Sequence, residues 1–295
     1  MSSTSKNRFP LHGWLGLLLM ALFWPLNWSL EGLRTHVMFF PLWLGYALTV
    51  DGLVFRIQGS SLIKRSWKKY GLLFVISIPA WWLFELINLR TQNWLYLGRD
   101  QFPDWQYALF SSLSFSTVMP AVFGTAEWVA AQGWWTRLKN GPSYGRTPGE
   151  VRTVFVLGWL MLGALLLWPR YCFPLVWMSV CFILDPINVW LDKRSLIGYI
   201  RHGDWRPVMA LWVGCLICGF FWEMWNLYAY PKWTYQIPFV DVLHVFEMPL
   251  LGYLGYLPFS MELFDIYHLI MPRDQADVLP DVGLKGSPSR LNAPV

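Results

Sequence analysis

The amino-acid sequence predicts an all-α polytopic membrane protein of about eight transmembrane helices, arranged as two tandem, parallel four-helix repeats. Three observations predict this class: an apolar composition, apolar stretches of transmembrane length, and a pattern that occurs twice in the same order. Of the 295 residues, 55% are hydrophobic and 14% are charged, whereas soluble domains carry roughly 25% charged residues. The composition therefore favours a chain embedded in lipid.

Each apolar stretch is close to the roughly 20 residues that a helix needs to cross the hydrocarbon. No small-residue cleavage site follows the first stretch, so it is interpreted as a membrane helix and not as a removed signal. The eight stretches lie near 11–30, 37–57, 71–90, 107–131, 153–170, 171–191, 207–228 and 243–271.

The distribution of Lys and Arg predicts the orientation. With the N-terminus inside, only five of the 23 basic residues fall in outer segments, as the positive-inside rule requires. Both termini are then cytoplasmic, and we expect a multi-pass protein of the bacterial inner (plasma) membrane. The basic segment IKRSWKKY is interpreted as an orientation signal and a contact to lipid headgroups, and not as a nucleic-acid site. The outer basic residues are Arg34, Arg90, Arg99, Arg170 and Lys232.

An internal repeat is the most informative feature of the sequence. The segment FPLWLGYALTVDGLVFRIQGSSLI recurs as FPLVWMSVCFILDPINVWLDKRSLI, and the spacing from an aspartate to a Ser-Leu-Ile triplet is the same in both. Further along each half, Glu-x-x-Asn is followed by Trp-x-Tyr. Two repeats of four spans enter from the same side and predict a pseudo-dimer about the membrane normal. The matching residues are Asp51, Glu85, Asn88, Trp94 and Tyr96 in the first half, and Asp185, Glu223, Asn226, Trp233 and Tyr235 in the second.

These features predict the domain boundaries. The last apolar stretch is broken by two prolines and two glycines, so a discontinuous or kinked helix is expected there. The predicted units are a cytoplasmic N-terminal tail at 1–10, a first membrane repeat at 11–135, a cytoplasmic linker at 136–152, a second membrane repeat at 153–271, and a disordered cytoplasmic tail at 272–295.

Ionisable residues inside membrane spans are costly, which makes them candidates for function. Glu85 and Glu223 are the predicted catalytic residues, because each lies at the same depth in the outer half of its repeat. A carboxylic acid in an apolar pocket can hold and donate a proton at neutral pH. The alternative is that each Glu-Asn pair pins a neighbouring helix through hydrogen bonds.

A polar cavity with an aromatic rim is expected around these two acids. Aromatic side chains make up 18% of the chain, and several flank the glutamates, where their faces can stabilise a cation. The predicted ligand-binding residues are Asn88, Asn226, Trp82, Trp222, Trp94, Tyr96, Trp233, Tyr235, His244, Glu247 and Glu262.

Other polar residues are interpreted as structural. Asp51 and Asp185 lie near basic loops, which favours a salt bridge or a helix cap over catalysis. Asp241, His244 and Glu247 are spaced by three residues, as on one helical face, and Glu262, Asp265 and His268 repeat that spacing. Neither triplet has a metal-site spacing such as Glu-x-x-His, so no metal is predicted. The pair Cys215-x-x-Cys218 lies in an apolar run and indicates helix packing.

One segment resembles a known family. In WTYQIPFVDVLHVFEMPLLGYLGYLPFSMELF, a Trp-containing stretch precedes Pro258 and Glu262, which loosely resembles the lycopene-cyclase domain of membrane carotenoid and meroterpenoid cyclases. Those proteins carry a Pro-x-Glu-Glu motif, and here a single shifted Glu262 stands in its place. The resemblance implies protonation of an isoprenoid and a carbocation. The chain also resembles bacterial multi-pass proteins with Glu-Met-Pro-Leu-Leu-Gly-Tyr segments, which imply no activity.

The sequence therefore predicts a membrane protein with an acidic and aromatic cavity for a lipid or isoprenoid, with membrane lipids as partners and no nucleic acid. An acid-dependent, cyclase-like or other lipid-modifying enzyme is the first hypothesis. An ion-coupled transporter or channel and a structural subunit of a membrane complex are the alternatives. The sequence indicates neither a cofactor nor an oligomeric state.

Overall fold

The computed structural model describes residues 7–30, 32, 35–133 and 136–272. This part of the chain is mostly helical, with little sheet. Most of the predicted tails at 1–10 and 272–295 lies outside the described residues. The helices are α1 Leu11–Ser29, α2 Thr35–Gln58, α3 Leu62–Arg65, α4 Trp67–Thr91, α5 Asp104–Phe115, α6 Val118–Ala130, α7 Pro148–Leu167, α8 Pro169–Cys172, α9 Val176–Trp190, α10 Leu196–Ile200, α11 Arg206–Asn226 and α12 Tyr256–Ile270.

Short strands and 3-10 turns connect the helices. Strand β1 pairs antiparallel with β2, and β3 pairs antiparallel with β4. The strands are β1 Trp94–Leu97, β2 Lys232–Tyr235, β3 His244–Val245 and β4 Met248–Pro249, and the 3-10 turns are Arg99–Gln101, Thr136–Asn140, Phe173–Leu175 and Leu250–Gly255.

Six helical segments in the described ranges are long and apolar enough to cross a membrane, which confirms a multi-pass membrane protein. They correspond to six of the eight predicted stretches. The first predicted stretch forms α1, and the last contributes only α12, whose 15 residues extend about 22 Å. The six segments are His36–Gln58, Trp67–Thr91, Asp104–Ala130, Pro148–Leu167, Pro169–Trp190 and Arg206–Asn226.

The last predicted span differs from a single kinked helix. Its first part forms the β3–β4 hairpin and a 3-10 turn, and regular helix begins only at Tyr256. The placement of Asp241, His244 and Glu247 on one helical face is therefore wrong. The physical reason is local, since Leu243 and Phe246 adopt positive φ angles of 53° and 59°, which an α-helix does not allow.

The helices pack tightly where small residues meet. A Cβ on Gly16 of α1 would lie 2.5 Å from the carbonyl oxygen of Gly45 in α2, and a Cβ on Gly45 would lie 2.9 Å from the carbonyl oxygen of Gly16. The two backbones are in direct contact, as in membrane helix pairs joined by small residues. At the centre of the bundle, the ring of Trp43 lies 4.9 Å from that of Trp225 and 5.0 Å from that of Trp222, measured between ring centroids.

We expect Gly16→Ala to lower the thermal stability of the purified protein. The added methyl group must push α1 away from the backbone of α2, and overpacking of this kind typically costs about 1–3 kcal/mol. Gly163→Ala in α7 is the control, because its Cβ would meet no atom within 4 Å. Equal melting temperatures for Gly16→Ala and Gly163→Ala would contradict the close α1–α2 packing.

Candidate functional site

A cavity of about 180 Å³ lies at one end of the helix bundle. It is enclosed by the first residues of α2, α9 and α12, the last turns of α11, the α5 helix and the β1–β2 sheet. Most of its lining is aromatic. The lining residues are His36, Phe39, Trp81, Trp94, Tyr96, Arg99, Phe102, Tyr107, Phe110, Ser111, Ser114, Phe115, Val118, Trp177, Trp222, Pro231, Lys232, Trp233, Tyr235, Met248, Gly252, Gly255 and Tyr256.

Glu85 lies behind this lining and is held by residues that belong to it. Its Oε1 accepts hydrogen bonds from Trp81 Nε1 at 2.9 Å, Trp94 Nε1 at 3.0 Å and Tyr96 OH at 2.6 Å. Trp81 stands one turn before Glu85 on α4, and the other two donors come from β1. One carboxylate oxygen therefore carries three donors from aromatic rings that face the cavity.

Glu223 has an equivalent environment on α11. Its Oε1 accepts hydrogen bonds from Tyr235 OH at 2.6 Å, Tyr256 OH at 2.7 Å and Trp233 Nε1 at 3.4 Å. The side chain is fully buried. Its Oε2 is also buried and has no hydrogen-bond partner among the described residues. The two glutamates thus differ, since Glu223 is fully buried with one oxygen enclosed and unpartnered, whereas Glu85 is only partly buried.

The two asparagines of the repeated pattern hold the strands that carry these donors. Asn88 Nδ2 donates to Trp94 O at 2.8 Å, and Asn226 Nδ2 donates to Trp233 O at 2.8 Å. The Oδ1 atom of Asn226 accepts from Trp233 N at 3.0 Å. Each asparagine follows its glutamate by three residues and therefore shares a helix face with it. The side-chain amides fix the aromatic donors relative to the acids.

The β1–β2 sheet joins the two halves of the site directly. In its antiparallel register, Trp94 pairs with Tyr235 and Tyr96 pairs with Trp233. Each Trp-x-Tyr segment thus lies opposite the other in reversed order. A short sheet of this kind can form at the end of the bundle because the asparagines have already fixed both strands.

The tyrosines of this sheet are hydrogen-bond donors at physiological pH. Burial raises the pKa of Tyr96 well above its ordinary value, and the nearby Glu85 raises it further. Burial likewise raises the pKa of Tyr235, and the nearby Glu223 adds to the effect. Because a neutral phenol keeps its proton, both hydroxyl groups remain available to donate to the carboxyl groups.

The predicted ligand-binding residues divide into two groups. Those that line the cavity are Trp94, Tyr96, Trp222, Trp233 and Tyr235. Those that do not line it are Trp82, Asn88, Asn226, His244, Glu247 and Glu262. Trp82 points away from the cavity and donates to Ser112 Oγ at 3.0 Å. The cavity therefore has fewer of the predicted polar residues in its lining, and this lining is more apolar than the sequence predicted.

The displaced residues have partners or positions elsewhere. His244 is exposed and lies 2.8 Å from Asp241 Oδ1, and Glu247 forms an ion pair with Lys232. Lys232 itself lines the cavity, so Glu247 compensates a positive charge at the edge of the cavity. Glu262 is fully buried in α12, six residues beyond Tyr256, and lies beside α9. The hairpin causes the displacement of His244 and Glu247, because it replaces the helix on which they would share a face. Glu262 lies on a regular helix, but that helix places it against α9 and not in the lining of the cavity.

Three residues of the site were not among the predicted ones. Trp81 and Tyr256 supply the third donor to Glu85 and Glu223, respectively. Gly219 leaves the space that the Tyr256 ring fills, because a Cβ there would collide with that ring. The spacing of Trp81 and Glu85 by four residues on one helix is a signal that could have identified this pair. Tyr256 comes from a distant segment, so spacing alone does not place it.

Asp51 and Asp185 occupy similar positions at the opposite end of the bundle. Asp51 Oδ1 accepts from Ile63 N at 3.0 Å, whereas Asp185 accepts from Leu196 N at 2.6 Å and Ile197 N at 2.7 Å. These backbone groups belong to the first turns of α3 and α10. Both aspartates therefore cap a helix. A helix cap is one of the two structural roles, with a salt bridge, that the sequence predicted for them.

No group of three or more His, Cys, Asp and Glu side chains in the described ranges is placed to hold a metal ion. Cys215 and Cys218 are buried free thiols. Cys218 Sγ lies 3.3 Å from Thr125 Oγ1 and 3.7 Å from Tyr46 OH, in the packed interior.

We expect Asn226→Ala to lower the melting temperature by more than the loss of a small side chain alone would. Removal of the amide leaves the backbone N–H and C=O of Trp233 without their partner, which costs about 1–3 kcal/mol for each unsatisfied buried group. The measurement is the melting temperature in detergent. Gln132→Ala is the control, because that exposed amide lies just beyond α6 and donates to the carbonyl oxygen of Trp128 in its last turn. An Asn226→Ala protein as stable as Gln132→Ala would contradict the role of Asn226 in fixing β2.

Comparison of the chain with protein-family models, curated proteins and solved structures found no match.

Proposed function

We propose that this membrane protein binds a lipid or isoprenoid in the aromatic cavity and transfers a proton to it. The observation that carries this proposal is the pair of glutamates, each held through one oxygen by aromatic donors that line the same cavity. Glu223 is the general acid, and Glu85 is the complementary base.

The lining supports an apolar ligand. Ring faces and edges surround the space, and the few ionisable side chains at its edge have partners. Arg99 lies 2.5 Å from Asp104, and Lys232 is paired with Glu247. A hydrocarbon chain with double bonds gains from burial against such rings. Aromatic faces also stabilise a positive charge that develops during protonation.

The acid roles follow from the hydrogen bonds. Glu85 is assigned as the base because its Oε1 accepts the hydrogen bond of Tyr96, which lines the cavity. Glu223 has a second oxygen in an apolar environment without a partner, which is a suitable place for a carboxyl proton.

Neither glutamate lines the cavity, so the proton passes through tyrosines that do. Tyr235 or Tyr256 gives its hydroxyl proton to a carbon–carbon double bond and takes up the proton of Glu223, which leaves a carbocation. A neighbouring carbon then loses a proton through Tyr96 to Glu85, which restores a double bond, so the step needs no oxidant or reductant.

We extend the proposal to the arrangement of the chain in the membrane. Eight spans include α1 and the segment around α12, the two halves are tandem repeats, and both termini lie in the cytoplasm of a bacterial inner membrane. Matching contacts support the repeat: an aspartate caps α3 and another caps α10, and an asparagine fixes β1 and another fixes β2.

Native mass spectrometry combined with lipid extraction tests the binding proposal. Ser114 lines the cavity, and the neighbouring Leu113 is 39% exposed on the outside of the bundle. We expect gently purified wild-type protein and Leu113→Trp to retain an isoprenoid or lipid, and Ser114→Trp to lose it because the indole fills the cavity.

Two results would contradict the proposal. A wild-type protein without a bound lipid, together with flux in proteoliposomes that depends on a proton gradient, would favour a transporter. Retention of the same lipids by wild type, Ser114→Trp and Leu113→Trp would show that the lipids bind outside the cavity.

A further inference from the structure

A second group of acids lies where α9 packs against α12, away from the lining of the cavity. Asp185 of α9 is 3% exposed, and Asp265 of α12 is 0% exposed. Their carboxyl groups are close enough to interact with each other. Asp185 receives backbone hydrogen bonds from Leu196 and Ile197. Neither oxygen of Asp265 has a hydrogen-bond partner in the described part of the chain.

Glu262 is the third acid of this group. Glu262 stands one turn before Asp265 on α12, is 0% exposed, and interacts with Asp265. Both of its oxygens are buried and without a hydrogen-bond partner among the residues described. Cys181 of α9 lies beside both acids of α12. The four carboxyl oxygens of Glu262 and Asp265 are therefore buried without a Lys, Arg or His partner among the described residues.

In the equivalent region of the first half, the buried acids have basic partners. Glu127 of α6 is also 0% exposed, but Arg65 binds both of its oxygens, at 2.7 Å and 2.9 Å. Asp51 has His12 Nε2 at 2.9 Å from its Oδ2. The second half has no such partner. Asp185, Glu262 and Asp265 form no ion pair with a Lys, Arg or His of the described ranges.

The basic residues nearest this group are engaged elsewhere or lie at its edge. Lys193 donates to the carbonyl oxygen of Leu269, at the end of α12. His268 Nδ1 donates to the Phe264 carbonyl oxygen at 2.7 Å, and the ring lies near the charges of Lys193 and Arg194. Arg201 acts on Asp185 from a distance. None of these cations forms an ion pair with Asp185, Glu262 or Asp265 among the described residues.

We propose that Asp185, Glu262 and Asp265 form a proton-binding site inside the membrane. Three adjacent carboxylates without a cation cannot all be ionised in a medium of low dielectric constant, because both desolvation and mutual repulsion favour the neutral acid. The ligand of this site is therefore H⁺, which neutralises those acids of the group that have no cation partner. The inference does not rest on the function proposed for the cavity.

Infrared spectroscopy tests this site on the full-length protein, since protonated carboxyl groups have a C=O stretching band that carboxylates lack. We expect Asp265→Asn and Glu262→Gln to fold with the wild-type melting temperature, because an amide replaces a neutral acid of the same shape. At neutral pH each variant loses one carboxyl contribution to this band. Asp241→Asn is the control and leaves the band unchanged, because Asp241 is 61% exposed on the hairpin and lies outside this group of acids.

Three results would overturn the proposal. The first is a band at neutral pH that stays unchanged in both Asp265→Asn and Glu262→Gln. The second is a wild-type melting temperature that rises with added Na⁺ or K⁺ while those of the two variants do not, since the site would then bind a metal cation. The third concerns the case in which either variant does not fold. Glu223→Gln then decides, because it lacks the carboxyl proton assigned to the cavity: absence of the band from Glu223→Gln at neutral pH contradicts proton binding, and a remaining band supports it.

Discussion

Glu223→Gln should retain the ligand of the cavity and lose proton transfer to it. The amide keeps the acceptor oxygen for Tyr235 and Tyr256, but it has no acidic proton to give. Removal of a general acid typically lowers the rate about 10²–10⁴-fold. The measurement works on an unidentified ligand, because purified protein incubated in heavy water should transfer deuterium to the bound lipid, whose mass is then measured after extraction.

The control for this experiment is Asp241→Asn. Asp241 is 61% exposed and pairs with His244 on the hairpin, away from the cavity. We expect its deuterium incorporation to equal that of the wild type. Equal incorporation by Glu223→Gln and the wild type would exclude Glu223 as the acid, and loss of the lipid from Glu223→Gln would assign it a binding role instead.

The second large effect is expected for Arg65→Met. This substitution leaves Glu127 buried without its bidentate partner, and breaking one side of a buried ion pair costs about 3–5 kcal/mol. We expect a strong fall in melting temperature or a loss of folded protein. The double variant Arg65→Met/Glu127→Met should recover most of this stability, because it removes the uncompensated charge as well.

A double variant no more stable than Arg65→Met would contradict this explanation. The loss would then come from the packing of the Arg65 side chain and not from the charge of Glu127.

The sequence predicted the helical membrane class, and six of its eight predicted stretches correspond to helical segments of transmembrane length. These were predictable because helices that cross lipid must be long and apolar. It was less informative at the last stretch. There, Pro249 and the positive φ angles of Leu243 and Phe246 set the local conformation, so a hydrophobic run became a hairpin. Apolar content predicts burial in lipid, but it does not distinguish a helix from a buried turn.

The site was predictable where one local pattern determines it. The Glu-x-x-Asn spacing on a helix and the Trp-x-Tyr segment after it lie close in sequence, and the structure brings them together. Tyr256 comes from 33 residues beyond Glu223. Its position depends on the space above Gly219 and on the packing of α12, which a single sequence does not reveal. His244 and Glu247 were assigned to the cavity through a helix that does not form, whereas Glu262 does lie on a helix, α12, but outside the lining of the cavity.

The central claim is that the cavity holds an isoprenoid or lipid different from the bulk membrane, and a photo-crosslinking amino acid tests it most directly. Phe110 lines the cavity, whereas its neighbour Leu109 is 58% exposed on the outer face of α5. With the crosslinker at position 110, we predict an adduct with one defined isoprenoid or lipid, and at position 109 a mixture of membrane phospholipids. The same phospholipid mixture at both positions, or no adduct at position 110, would contradict the account.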